Sequence, residues 1–195
     1  MSLNDSLPNH PITAAIGALT SRPISHCSPS RRRLRLTHAL PARAVLLTEL
    51  LTPDRVVVPF AARNKSEAIA ELTRHLVEQS GGRFEEVLGA VQERESVLST
   101  GIGFGVAIPH ARSPAVRELT VVAAVSSVPV PFDSIDGEPV QLFFLIVGPE
   151  ASAGPHVKIL SRIARLVRRE SVRQRLVEAQ TPDEFYAILL DAEAR

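Results

Sequence analysis

Cysteine is almost absent from this chain, since Cys27 is the single one among 195 residues. A lone thiol excludes both a disulfide framework and a cysteine-based metal cluster, and such sparing use of cysteine is typical of the reducing cytoplasm. Long apolar runs are missing too. The longest strongly apolar run, residues 142–147, is far too short to cross a bilayer. We therefore expect a cytoplasmic protein without a transmembrane segment.

Residues 1–44 lack aromatic side chains altogether, and Asp5 is the one acid among them. They carry five of the 15 prolines and six of the 22 basic residues, four of these in the run Arg31-Arg32-Arg33-Leu34-Arg35. So little apolar surface cannot offset the entropy lost on ordering, and we predict a disordered extension over residues 1–44. The domain then spans residues 45–195, with the remaining 16 of 22 basic and 20 of 21 acidic residues.

Other interpretations of the N-terminal segment stay open. An acid precedes the weakly apolar stretch at residues 12–19, which argues against a secretory signal. An acid-poor segment with Arg and Ser is also typical of organellar transit peptides, whereas an upstream extension or a mispredicted start is the simpler account. The arginine run could attract nucleic acid or anionic lipid by charge alone. Because no aromatic residue is interleaved with it, we predict no specific nucleic-acid partner.

The apolar pattern beyond residue 45 predicts an α/β fold. Runs rich in Val, Leu and Phe predict strands at residues 55–59, 119–125 and 140–147. Helical spacing of apolar residues predicts a helix from a Ser66 cap to Gly81-Gly82, another over 83–95, and three after Gly154, the last starting at a Thr181 capping box. The two long strands are apolar throughout. We therefore expect a sheet covered by helices on both faces.

The most distinctive stretch is Ser99-Thr100-Gly101-Ile102-Gly103-Phe104-Gly105-Val106-Ala107-Ile108-Pro109-His110. The three glycines permit unusual backbone angles and close approach by another molecule, and Pro109 stops the strand just before His110. A neutral imidazole has one lone-pair nitrogen that can attack an electrophile such as a phosphoryl group. A lone histidine often only bonds a backbone carbonyl, but glycines would weaken a strand needed only for packing. This pattern indicates group transfer at His110.

Several other sites are excluded or disfavoured. A dinucleotide-binding glycine motif needs a strand before it and a helix after it, whereas helix, loop and strand are predicted here. A P-loop fails because no Lys-Ser/Thr pair follows the glycines. Asp133 and Asp136 lie between prolines and fit turn chemistry better than catalysis. We predict no metal site and no cofactor.

Arg94-Glu95 followed by STGIG-x-G-x-AIPH resembles the type-2 IIA domain of the bacterial phosphoenolpyruvate phosphotransferase system, in its fructose, mannitol and nitrogen-regulatory forms. The resemblance covers about residues 45–190 and continues through Pro-Phe-Asp-Ser-Ile-Asp-Gly-Glu-Pro-Val at 131–140 and His-Val-Lys-Ile-Leu at 156–160. It implies an α/β domain with a central mixed β-sheet flanked by helices on both faces. It also implies that His110 accepts a phosphoryl group from the phosphorylated histidine carrier protein.

The resemblance places His156 beside the active histidine, where it helps to hold the phosphoryl group, and a helix N-terminus there would also favour an anion. Arg94 is expected to present its guanidinium to phosphate oxygens. The alternatives are an ordinary surface histidine and a solvated arginine. The remaining predicted loop and phosphate contacts are Ser99, Thr100, Gly101, Gly103 and Gly105, of which the hydroxyl residues could instead only cap the loop.

Phe104 and Val106 are predicted to form an apolar docking surface for the carrier, with the core as the alternative for Val106. Phe104 and Ala111-Arg112 differ from the family pattern, which has a polar residue and a Gly-Lys pair there.

Three functions follow. The first is a nitrogen-type regulator whose phosphorylation controls binding to target proteins, favoured because no fused IIB, IIC or carrier module is present. The second is a sugar-transport component that passes phosphate to a IIB component, and the third is an interaction module that is not phosphorylated.

Overall fold

This computed structural model describes residues 46–194, in which five successive strands lie between two helices and a final group of three. The strands are β1 Val56–Phe60, β2 Gly101–Gly103, β3 Val106–Ala107, β4 His110–Arg112, β5 Thr120–Val130 and β6 Val140–Gly148. The helices are α1 Leu47–Leu50, α2 Lys65–Ser80, α3 Phe84–Val97, α4 Ala153–Val167, α5 Glu170–Glu178 and α6 Pro182–Ala194. The predicted disordered extension, with Cys27 and the arginine run, lies outside the described residues.

The six strands form one mixed sheet in the order β1-β5-β6-β3-β2, with β4 also paired to β6. β5 and β6 are antiparallel, β1 pairs parallel to β5, and β3 and β4 pair parallel to β6. Val106 lies opposite Leu142 and His110 opposite Ile146, so both short strands keep one register along β6. The chain from residue 106 to 112 thus follows β6 as one extended segment, in which the strand pairing is interrupted between Ala107 and His110.

Each face of the sheet is covered by helices, as the apolar runs predict. Successive side chains of a strand point to opposite faces. Val121 and Phe144 pack in a core with residues of α1, α4, α5 and α6. Their neighbours Val122 and Phe143 pack in a second core with residues of α2 and α3. The α/β fold with a mixed central sheet is therefore confirmed. No helix in residues 46–194 is long and apolar enough to span a membrane.

The start of α2 differs from the prediction. Asn64, not Ser66, caps the helix, because its side chain accepts a hydrogen bond from Glu67 N at 2.9 Å. Glu67 in turn accepts one from Arg63 N at 3.0 Å. Asn-x-x-Glu has the spacing of a capping box, so the sequence carried this signal. The predicted end of α2 at Gly81 is confirmed, and this glycine has a φ of 74°. The predicted Thr181 cap of α6 is also confirmed, since its hydroxyl accepts a hydrogen bond from Glu184 N at 3.2 Å.

The glycine-rich segment is a β-hairpin rather than a loop. β2 and β3 pair antiparallel, and Gly103, Phe104 and Gly105 turn the chain with φ of 87°, 58° and 70°. A Cβ at Gly101 would lie 2.8 Å from Ser134 Cα, and one at Gly103 would lie 2.9 Å from Asp136 Oδ2. The molecule that approaches these two glycines closely is therefore the chain's own segment around Ser134 and Asp136.

Two phenylalanines provide a matched test of the core. Phe143 is fully buried, with Phe60 and Phe132 ring centroids each 5.6 Å away, whereas Phe104 is 66% exposed. We expect Phe143→Ala to lower the free energy of unfolding by about 3–5 kcal/mol, because it removes apolar burial and leaves a cavity. Phe104→Ala should lower it by less than about 1 kcal/mol. Urea unfolding measures the free energy of unfolding of both variants. Equal decreases in the two variants would contradict the burial of Phe143 in the core and the exposure of Phe104.

Candidate functional site

His110 begins β4 at the edge of the sheet. The chain before it is fixed by two backbone hydrogen bonds: Ile108 N donates to Thr100 O, and Ile146 N donates to Pro109 O, both at 3.0 Å. Its half-buried ring lies on the α4 side and is 5.8 Å from the ring of His156, centroid to centroid. The strand register thus determines where the imidazole stands.

Both ring nitrogens of His110 are engaged, and in different ways. Nδ1 lies 2.8 Å from Ile108 O, and since a carbonyl oxygen only accepts, Nδ1 carries the proton. Nε2 accepts a hydrogen bond from Nε of Arg94 at 3.2 Å, so it holds the lone pair. Arg94 is held in turn by a bond from Nη1 to Leu98 O at 2.9 Å. The ring therefore presents a nucleophilic Nε2 toward a guanidinium.

His156 lies in the first turn of α4 and is 5% exposed. Its Nδ1 is buried and has no hydrogen-bond partner among residues 46–194. The first turn of a helix also has unpaired N–H groups and the positive end of the helix dipole. Both features suit an anion placed between the two histidines.

Both histidines are neutral at neutral pH. Burial, followed by the charges of His110 and Arg112, lowers the pKa of His156 to about 4. Burial is also the largest influence that lowers the pKa of His110; Arg94 adds to it, while the bond to Ile108 and the charge of Glu95 oppose it. Because only a neutral imidazole has a free lone pair, His110 is in its nucleophilic form.

His110 and Arg94 together separate two clefts. One, of about 560 Å³, is the histidine cleft, which is also lined by His156 and Arg112. Arg112 lies 3.1 Å from Glu150. The other cleft, of about 610 Å³, is mostly apolar, and its lining includes Leu98, Ile102, Ile108, Ile135 and Leu160. No group of three or more potential metal ligands occurs in the described chain.

The predicted site residues fall into two groups. His110, His156 and Arg94 converge at the histidine cleft, while Ser99, Thr100 and Gly101 line the apolar cleft. Both hydroxyls bond within the protein: Ser99 Oγ donates to Phe132 O at 3.0 Å, and Thr100 Oγ1 donates to Glu95 Oε2 at 2.5 Å. Their phosphate contacts remain predictions.

Gly103 and Gly105 lie in the hairpin turn and line neither cleft. Of the docking surface predicted at Phe104 and Val106, Phe104 is exposed but lines neither cleft, and its role in docking remains a prediction. Val106 is fully buried in the core, its alternative placement, and Phe104 packs 5.2 Å from the guanidinium of Arg173.

An exposed apolar rim instead surrounds the two clefts. It consists of Val97, Leu98, Ile135 and Val157, which are 64–85% exposed. Sequence analysis missed this rim, although an isoleucine inside the turn at 133–137 and two apolar residues where α3 ends were available signals. Exposed apolar side chains grouped around clefts in this way are typical of interaction surfaces.

The comparisons agree with this architecture. Residues 49–192 match the family model for the phosphoenolpyruvate-dependent sugar phosphotransferase system, EIIA 2, and the chain belongs to this family. A nitrogen regulatory protein of Bradyrhizobium diazoefficiens is 32% identical over 143 residues, 73% of this chain and 94% of that protein. The Nitrogen Regulatory Protein IIA-Ntr structure from Neisseria meningitidis has a TM-score of 0.69 at 33% identity, covering 73% of this chain and 97% of that one.

A sugar-specific relative also matches. The PTS system fructose-specific EIIABC component of Bacillus subtilis is 34% identical over 146 residues, which is 73% of this chain but 23% of that protein. This chain therefore corresponds to one part of that relative.

The buried His156 predicts a pH dependence of stability. Unfolding returns its pKa from about 4 to the ordinary 6.5, so the unfolded state binds more protons between these values. We expect the free energy of unfolding to fall as the pH drops from 6.5 to 4, and to fall less in His156→Gln. Urea unfolding across this range measures both, and identical slopes would contradict the depressed pKa.

Proposed function

We propose that this protein is a phosphohistidine carrier that accepts a phosphoryl group on Nε2 of His110. The observation that supports this most directly is the pair of hydrogen bonds at the ring. Nδ1 donates to Ile108 O, and Nε2 accepts from Arg94, which lines both clefts together with His110. Membership of the EIIA 2 family supports phosphoryl transfer as the chemistry. The donor would be the phosphorylated histidine carrier protein of the same system.

In this step the Nε2 lone pair forms a bond to phosphorus as the bond between phosphorus and the donor's imidazole nitrogen breaks. The electron pair of the broken bond returns to the donor ring. Phosphoryl transfer of this type depends on alignment and charge stabilisation more than on further covalent chemistry. The proton stays on Nδ1, which continues to donate a hydrogen bond to Ile108 O and so keeps the acceptor ring in one orientation throughout.

Three features would stabilise the charge of the transferred phosphoryl group: Arg94, the first turn of α4 and His156. Arg94 would exchange its contact with Nε2 for phosphoryl oxygens, for which its planar array of donors is suited. Ala153 and His156 in the first turn of α4 line the same cleft, and Nδ1 of His156 has no hydrogen-bond partner among residues 46–194. An anionic phosphoryl group would raise the pKa of His156 by favouring its charged form.

The exposed apolar rim of Val97, Leu98, Ile135 and Val157 would form the docking face for the carrier. It surrounds His110, which lets a partner's imidazole approach Nε2 while apolar surface is buried around the pair.

A nitrogen-type regulatory role is supported by the share of the nitrogen regulatory relatives that this chain matches. The nitrogen regulatory relative is matched over 94% of its length, and the IIA-Ntr structure over 97% of its chain. In that role the phosphorylated and free forms bind target proteins differently. The second candidate, transfer to a IIB component in sugar uptake, is favoured by the similarity to the fructose-specific relative.

The acceptor is tested by incubating the protein with phosphoenolpyruvate, enzyme I and the histidine carrier protein, followed by intact-mass analysis. We expect one acid-labile phosphoryl adduct on the wild type and none on His110→Ala, because that variant lacks the nucleophile. His75→Ala is the matched control, since His75 lies on α2 and bonds Asp54 O at 2.9 Å, away from both clefts. An unmodified wild type would contradict the carrier function and favour the interaction module.

A further inference from the structure

A buried carboxylate lies directly beneath the hairpin that precedes His110. Glu95 is in the last turn of α3 and is 7% exposed. Its two oxygens accept from Thr100 N at 3.1 and 3.0 Å, and Oε2 also accepts from Thr100 Oγ1 at 2.5 Å. One carboxylate therefore holds both polar donors of a single residue at the start of the hairpin.

Lys65 supplies the counter-charge. Its Nζ lies 2.9 Å from Glu95 Oε1 and 3.1 Å from Asp133 Oδ2, and it stands 5.0 Å from the centre of the Phe132 ring. Burial acts against its charge, but hydrogen bonds to Glu95 and Asp133 outweigh this and raise the pKa of Lys65. The first residue of α2 is thus bound to the end of α3 and to the turn beside the apolar cleft.

A continuous path of hydrogen bonds leads from this pair to the acceptor ring. Glu95 holds Thr100, Thr100 O accepts from Ile108 N at 3.0 Å, and Ile108 O accepts from His110 Nδ1 at 2.8 Å. These bonds alternate with covalent backbone bonds, so each one fixes the position of the segment that carries the next. Helix α3 also contacts the opposite side of the ring. Arg94, the residue before Glu95, donates a hydrogen bond from its Nε to Nε2 of His110.

We infer that Glu95 is a positioning residue for phosphoryl acceptance: through Thr100 and Ile108 it holds His110 in the form with the proton on Nδ1, leaving Nε2 free to react. The inference rests on the proposed function for its consequence, the transfer rate, but not for its structural content. Lys65 holds the buried carboxylate in place through its ion pair with Oε1.

Stability alone is a weak explanation for this arrangement. A buried ion pair often contributes little net stability, because desolvation of both charges offsets their attraction. The carboxylate instead holds Thr100 in one position, since it accepts from the backbone N–H and the hydroxyl of that residue at the same time. A neutral amide in its place cannot accept from Thr100 with both of its terminal atoms.

The test is the ring tautomer of His110 in Glu95→Gln, measured by ¹⁵N NMR of the imidazole nitrogens in the full chain. We expect the wild type to show a protonated Nδ1, and the variant to show an increased share of the Nε2-protonated form. Where the wild type is phosphorylated, the variant should transfer about 10–100-fold more slowly, because its nucleophile is misplaced. Glu78→Gln, an exposed position on α2, should match the wild type in both readouts.

A second pair of variants covers the case in which Glu95→Gln does not fold. Thr100→Val removes only the hydroxyl bond to Glu95, and Thr100→Ser retains it. We expect a tautomer shift in Thr100→Val, with Thr100→Ser restoring the wild-type signals. A role confined to stability would leave the ring tautomer of any folded variant unchanged.

Failure of this inference is separable from failure of the proposed function. The tautomer is measured without a phosphoryl donor. A wild type that accepts no phosphate would therefore contradict the carrier function, while the NMR result would still decide whether Glu95 positions the ring. Folded Glu95→Gln and Thr100→Val proteins with wild-type tautomers would overturn the inference. An unchanged transfer rate despite a shifted tautomer would overturn it as well.

Discussion

The hydrogen bond from Nδ1 of His110 to the carbonyl oxygen of Ile108 is the interaction on which the site depends. It fixes the proton on one nitrogen and leaves the other free, and it does so with the backbone of the same strand. That strand segment is itself set by its register along β6, where His110 lies opposite Ile146. The central sheet therefore determines not only where the imidazole lies but also which nitrogen carries the lone pair.

The hairpin turn at Phe104 and the turn at Asp133 depart from what stability alone would favour. Phe104 and Asp133 are the two non-glycine residues with positive φ among residues 46–194, at 58° and 53°. Such a conformation costs about 1–3 kcal/mol and persists only where neighbouring contacts impose it. Here Asp136 Oδ2 accepts from Phe104 N at 2.8 Å, and Lys65 holds Asp133. An apolar rim exposed beside them adds a further local cost, which is typical of a surface built for a partner.

The sequence was sufficient for the sheet and its covering helices. Val122 and Phe143 stand beside Val121 and Phe144 in uninterrupted apolar runs, and such runs predict strands buried on both faces. The β2–β3 hairpin was missed because strands of two or three residues, one of them ending in glycines, show no periodicity. The Asn64 cap was missed although its spacing was visible.

Within the site, His110 was predictable from chemistry, since a histidine after glycines and proline points to transfer. Its convergence with Arg94 and His156 came only from the family resemblance, because the three lie on different elements. The link between Lys65 and Glu95 joins two helices across the chain, and a single sequence contains no signal for that pairing.

The central claim is that Nε2 is the reactive nitrogen, because Nδ1 is occupied by Ile108 O. The most direct measurement is ³¹P and ¹⁵N NMR of the phosphorylated protein carrying ¹⁵N-labelled histidine, which identifies the nitrogen bonded to phosphorus. The account predicts that the phosphoryl group is on Nε2 of His110, with Nδ1 still bonded to the Ile108 carbonyl. A phosphoryl group on Nδ1, or on another histidine, would contradict it.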